Sequence, residues 1–298
     1  MRGARQREFL TETLIRAAGF SAILFVVLIF AFLLREGAPA FWEVSLPNLF
    51  GRRWYPNEEL YGTLPLILGS LLVTAGAVVM ALPLGLAAAI FVRELAPDWL
   101  REILKPLIEV LAGIPSVVLG FLGMVAVAPL VRETLNVPTG LTAFTGSLML
   151  AYMALPTIIS VAEDAIDAVP KDYRDGALAL GATHWQTIWR VVLPAARSGV
   201  IIAVMLGIGR AIGETMAVMM VTGNAARIPS ELMALFMPAR TMTATIAAEM
   251  GEVAQGGTHY HVLFAVGILL FVVTFVINAV ASFVVIKGGP RRGGRLMG

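Results

Sequence analysis

Arg210 and Glu214 offer the most chemistry, because they interrupt an otherwise apolar run from Ala196 to Val221. An ionisable side chain near the centre of such a run costs about 2.5–3.5 kcal/mol to insert into a bilayer. Spaced i, i+4, the two would share one helical face and partly neutralise each other. Gly209, Gly213 and Ala217 form a small-residue stripe beside them, suited to close helix packing. One reading is an internal ion pair that fixes helix register. The other, favoured by the cost of insertion, is a substrate site on a permeation path. A guanidinium presents forked donors that match the oxygens of an oxyanion. A neighbouring carboxylate would repel a fully ionised anion but would accept a hydrogen bond from a protonated oxygen. Phosphate near neutral pH carries such a proton and sulfate does not, so the pair is expected to favour phosphate.

A second pattern lies in the polar stretch 163–195. Pro170 can open a helix, with Asp172 and Asp175 near the positive end of its dipole. Asp175-Gly176-Ala177 is followed by three residues, Gly181, nine residues and Val191-Val192-Leu193-Pro194. Ala177, Leu178, Leu180 and Ala182 are small or apolar, and Trp185, Ile188 and Trp189 add a stripe at i, i+3, i+4. Apolar helical surface in a polar loop points to docking on another protein. The alternative is a helix lying on lipid. Asp164, Asp167, Asp172 and Asp175 disfavour an anionic lipid surface.

Other chemistries lack their residues. There are no cysteines, which removes disulfides, thiolate metal sites and Cys nucleophiles. Only Lys105, Lys171 and Lys287 are present, and none precedes Ser or Thr, so no phosphate-binding P-loop exists. His259 and His261 form a His-x-His that would need a third metal ligand, with Glu249 and Glu252 the nearest acids in sequence. A surface or interface role suits them better. Met216, Met219 and Met220 read as packing.

The elements that must hold these residues follow from composition. The 298 residues are 58% hydrophobic and only 14% charged, too few charges to coat a water-facing surface. Six runs satisfy the length of a bilayer-spanning helix: 17–34, 62–92, 107–131, 139–162, 196–221 and 261–286. The expected fold is all-α, a polytopic bundle forming one permease domain. An even number of spans puts both termini on one side. Arg2, Arg5, Arg7, Arg16, Arg93, Arg101, Lys105, Lys171, Arg174, Arg190, Arg197, Lys287, Arg291, Arg292 and Arg295 flank one side. Arg35, Arg52, Arg53, Arg132, Arg227 and Arg240 flank the other. The excess of Lys and Arg marks the cytoplasmic side, so both termini are expected there. The first run resembles a signal peptide ending at Ala38-Pro39-Ala40, but its length favours a retained helix. The outer connection after the fifth run, 223–260, is stopped from spanning by Pro229, Glu231, Pro238, Arg240 and Glu249 and is expected to be a re-entrant or cap element.

The loop spacing resembles the EAA loop of binding-protein-dependent ABC importer permeases, with Asp175, Gly176 and Val191 standing for Glu, Ala and Ile of that pattern. Ala177, Gly181, Leu193 and Pro194 match as they stand. Gly207 to Val218 and Leu111 to Val118 closely resemble segments of the phosphate-specific PstC permease family, as do Trp54, Pro56, Gly62, Leu64 and Pro65 and the stretch Thr241 to Gly251 with His259-Tyr260. The resemblance implies a type I ABC importer permease fold in a bacterial inner membrane. It implies a coupling role for Asp175, Gly176, Ala177, Gly181, Leu193 and Pro194. It also implies a PstA-like second permease, two PstB-like ATPases that bind the ATP, and an outer PstS-like phosphate-binding protein, with no cofactor in this chain. Competing readings are a permease for molybdate or sulfate, an ATP-independent channel or carrier, and a phosphate-sensing component.

Overall fold

The computed structural model describes residues 2–229 and 233–288. Glu231, Arg291, Arg292 and Arg295, used above, lie outside the described residues. Long apolar runs leave their backbone polar groups no partner in lipid, so they close their hydrogen bonds within helices. In chain order the helices are α1 (Arg2–Gly37), α2 (Ala40–Glu43), α3 (Leu46–Leu49), α4 (Leu64–Ile90), α5 (Asp98–Ala112), α6 (Ser116–Leu122) and α7 (Ala128–Leu135). They continue with α8 (Ala143–Asp167), α9 (Lys171–Ala179), α10 (His184–Thr187), α11 (Leu193–Gly213), α12 (Met216–Val221), α13 (Met242–Glu249) and α14 (Thr258–Gly288). Two short antiparallel strands, β1 (Trp54–Tyr55) and β2 (Leu60–Tyr61), pair Trp54 with Tyr61 between α3 and α4. Among the described residues, six helical stretches are long and apolar enough to cross a membrane.

Two of the expected spans are redrawn. The third starts at Ser116, not at 107, because the chain breaks at Gly113-Ile114-Pro115. Proline disfavours helical backbone at the residue before it, and Pro115 takes an extended ψ of 137°. Residues 107–112 therefore belong to α5, a separate amphipathic helix. The fifth starts earlier and ends sooner than 196–221. It runs from His184 through a widened turn at Ile188–Val192 to Gly213. Pro194 explains the widening, since it offers no N–H to the carbonyl of Arg190 and its ring crowds that carbonyl. The polar stretch 163–195 thus contains the last turn of α8, all of α9 and the opening of the fifth span.

Helix α8 is the axis of the bundle and packs between α4 and α11. Ile158 shows how. Its side chain lies between Gly85 of α4 and Gly207 of α11, and a Cβ on either glycine would come within 2.7 Å of it. Small residues at such points let helices approach closely, which substitutes for a hydrophobic drive that lipid does not supply. Helix α1 packs on α14, with Phe30 stacked on Phe271 at 4.6 Å and Phe32 edge-on to Phe264. Helix α13 forms a cap at the end opposite α9, buried through Met242, Thr243, Ala244 and Thr245 against α4, α12 and α14.

Candidate functional site

Arg210 lies in the last turn of α11, half-buried. Its Nη1 donates to Thr157 Oγ1 of α8 at 3.1 Å, and its Nη2 donates to the Ala112 carbonyl at 3.4 Å. The second partner is the last residue of α5, where carbonyls left unpaired by the helix end carry partial negative charge. Arg210 also lines a groove of about 570 Å³ between α11 and α14, with Asn278 and Ser282 as further polar residues.

The expected i, i+4 ion pair does not form. Helix α11 ends at Gly213, and Glu214 leaves the helical path with ψ of 131°. Glu214 Oε1 instead accepts from the backbone N–H of Thr215 at 3.2 Å and of Ala217 at 3.3 Å, ahead of α12. The Glu214 carbonyl accepts from Thr243 Oγ1 of the cap helix α13 at 3.0 Å. Arg210 and Glu214 thus flank a break in the fifth span, each held by different elements. The small-residue stripe divides as well. A Cβ on Gly209 or Gly213 would meet nothing within 4 Å, whereas Ala217 packs on Gly120. Thr157, the Ala112 carbonyl and Asn278 escaped the sequence reading, because one Thr or Asn in an apolar run gives no periodic signal.

At the other end, α9 carries Asp175, Gly176 and Ala177. Gly181 closes it with φ of +85°, a conformation only glycine adopts without strain, and its N–H bonds back to Leu178. Thr183 and Gln186 then form a reciprocal capping box that starts α10. The turn before Leu193 and Pro194 packs against α9, so both halves of the spaced motif meet. Of the expected stripe, Ile188 is buried, while Trp185 and Trp189 stay exposed with ring centroids 5.7 Å apart. Leu180 is 91% exposed, and Tyr173 and Leu178 are also exposed, so α9 and its exit present apolar surface away from the bundle.

Arg174 fastens this helix to two spans. Its guanidinium reaches Glu94 Oε1 at 2.8 Å and the carbonyls of Ile166 at 2.9 Å and Val169 at 2.6 Å. Glu94 lies in the segment Phe91–Leu95 that extends α4, and Ile166 and Val169 lie on either side of the end of α8. Arg93 pairs with Asp167, and Lys105 of α5 bridges Glu163 at 2.9 Å and Asp164 at 3.2 Å. The hydrogen bond to Glu163 is the main cause holding the Lys105 ammonium above its ordinary pKa, against the opposing effect of burial.

The two histidines do not converge. His259 Nε2 meets Glu249 Oε2 at 2.8 Å, and His261 Nδ1 meets Glu43 Oε1 at 3.0 Å. Two residues apart on a helix point to different faces. Glu249 also accepts from Arg240 at 2.6 Å and from Trp54 Nε1 at 3.1 Å, tying the cap to β1. Among the described residues, no group of three His, Cys, Asp or Glu could hold a metal ion.

A six-span bundle with a broken span beside a half-buried arginine, and an apolar helical surface exposed at one end, has the architecture of a membrane permease. Residues 81–286 match the family model of the binding-protein-dependent transport system inner membrane component, and the chain belongs to that family. It is 35% identical over 316 residues to the phosphate transport system permease protein PstC of Mesorhizobium japonicum, covering 98% of this chain and 95% of that one. It is 42% identical over 224 residues to the probable ABC transporter permease protein YqgH of Bacillus subtilis, covering 74% of this chain and 72% of that one. The fold resembles an inward facing form of the MetNI methionine ABC transporter, with a TM-score of 0.62 at 19% identity over 80% of this chain and all of that one. A bacterial transporter for the acidic polysaccharide alginate gives a TM-score of 0.57 at 17% identity, covering 93% of this chain and 98% of that one. The fold is that of the type I ABC importer permeases, and the chain is a multi-pass inner-membrane transport subunit, not an enzyme.

Proposed function

We propose that this chain is one permease half of an ATP-driven importer of inorganic phosphate. Near-full-length similarity to PstC permeases supports the substrate. The observation that carries the mechanism is Arg210, a forked cation in the membrane beside a helix break, whose partners among the described residues are the neutral Thr157 and the Ala112 carbonyl. Both partners are exchangeable for the oxygens of an anion. Glu214, across the break, keeps Oε2 available to accept from a protonated phosphate oxygen, while Oε1 is held by backbone N–H groups.

A PstA-like permease completes the pathway, and a PstS-like binding protein delivers phosphate at the capped outer end. Two PstB-like ATPases bind the ATP, and one of them takes helix α9. Asp175, Gly176, Ala177, Gly181, Leu193 and Pro194 form and seat that coupling element. Closure of the ATPases moves α9, and the Arg174 fastening carries the displacement to the ends of α4 and α8. Both termini are cytoplasmic.

The test is uptake of labelled phosphate by the reconstituted complex. Arg210→Gln is expected to abolish uptake, and wild-type uptake in that variant would end the site assignment. Glu214→Gln is expected to weaken phosphate import and the exclusion of sulfate. Unchanged discrimination would remove the acceptor role of Glu214.

A further inference from the structure

Lys and Arg are scarce on the outer side of membrane proteins, and this chain places six there. Three of them, Arg52, Arg53 and Arg227, line a single cavity of about 410 Å³. No Asp or Glu lines it among the described residues. None of the three guanidinium groups forms an ion pair or hydrogen bond with a described residue, whereas Arg240 nearby is committed to Glu249. The cavity lies between the α3–β1 connection, which supplies Arg52 and Arg53, and the connection after α12, which supplies Arg227. Leu72 and Ala239 also line it, and both pack into the apolar cluster that holds Ala211, the neighbour of Arg210.

Like charges gathered in a concavity with apolar walls focus a field and raise the local concentration of counter-ions. Arg52, Arg53 and Arg227 are all exposed, so the cavity they line carries uncompensated positive charge within reach of an anion. The geometry points to an oxyanion vestibule, in which Arg52, Arg53 and Arg227 hold phosphate at the outer mouth before it enters the bundle. The identity of the anion rests on the phosphate-import reading; the anion-holding role rests on the cavity. A lipid phosphate shares the same chemistry, and an acidic surface of the binding protein is the other occupant to test against.

The experiment is equilibrium dialysis of labelled inorganic phosphate against the whole complex in phosphatidylcholine nanodiscs. It omits the binding protein and uses the Arg210→Gln background, so that the membrane site does not contribute. Adding Arg52→Gln, Arg53→Gln and Arg227→Gln together is expected to weaken phosphate binding by roughly tenfold or more. The corresponding triple Lys variant keeps the charge and is expected to retain most of the binding, which separates charge from misfolding. Identical isotherms with and without the triple Gln change would overturn the vestibule. So would an unchanged isotherm accompanied by weaker docking of the phosphate-loaded binding protein, or by loss of co-purifying phosphatidylglycerol from nanodiscs that contain it. Phosphate uptake by the wild-type complex is measured in parallel. Its absence would defeat the import reading even where the isotherms differ, so the two failures are distinguishable.

Discussion

Arg210 shows why the type of cation matters within a membrane. Its planar fork serves two acceptors on different helices at once, which a lysine ammonium on a flexible stem does not reproduce. Arg210→Lys keeps the charge and loses the fork. A hydrogen bond to a charged group is worth about 1.5–3 kcal/mol, so phosphate uptake in that variant should fall by roughly tenfold or more. Thr157→Val removes an acceptor at nearly constant volume and should lower uptake, while Thr157→Ser should preserve it. Equal uptake in the Val and Ser variants would show that Thr157 does not position Arg210. The sequence singled out Arg210 and Glu214 because charge in an apolar run is costly. It misplaced their relation, because α11 stops at Gly213 and the Glu214 carboxylate takes the backbone N–H groups of Thr215 and Ala217 beyond the break. The glycine was visible, but its consequence depended on Thr243 of α13 holding the chain beyond the break.

The elements at the α9 end behave as one stitched junction. Arg174 and Glu94 are both largely buried, so removing one leaves the other charge without compensation, at a cost of about 3–5 kcal/mol. Arg174→Lys keeps the charge but lacks the geometry to span Glu94, Ile166 and Val169. It is expected to lower the phosphate imported per ATP hydrolysed more than the hydrolysis rate itself, and a matched fall in both would argue against transmission through this contact. Two glycines nearby should respond with opposite signs. A Cβ on Gly176 meets nothing within 4 Å, so Gly176→Ala should stabilise α9 by up to about 1 kcal/mol. Gly181 sits at positive φ, so Gly181→Ala should destabilise the loop by about 1–2 kcal/mol although space is equally open there. Thermal unfolding of the purified complex reads both shifts. Periodicity and spacing made α9 and its exposed apolar surface legible. The interruptions at Pro115 and Pro194 were not, because proline can cap, break or merely widen a helix, and neighbouring packing decides which.

At the scale of the whole molecule, charge distribution predicts orientation. The absence of cysteine makes the chain a clean background for labelling. Asn57→Cys, in the β1–β2 loop, should react with a membrane-impermeant thiol reagent in sealed cells. Lys171→Cys, at the start of α9, should react only after permeabilisation. The reverse pattern would invert the topology and the roles of both ends. What the sequence determined alone was the number of spans and the helical loop that carries the spaced motif. Each depends on local composition or on intervals short enough to lie within one element. What only the tertiary structure decided was partner choice. Arg210 bonds to a carbonyl 98 residues away, Arg174 to a carboxylate 80 residues away, and Glu249 to an indole 195 residues away. Arg52, Arg53 and Arg227 share a cavity although two loops supply them. Hydrophobicity and helical period are properties of neighbouring residues and can be read along the chain. Which donor meets which acceptor depends on how α4, α8 and α11 pack, through close approaches such as Ile158 between Gly85 and Gly207, and no local interval encodes that arrangement.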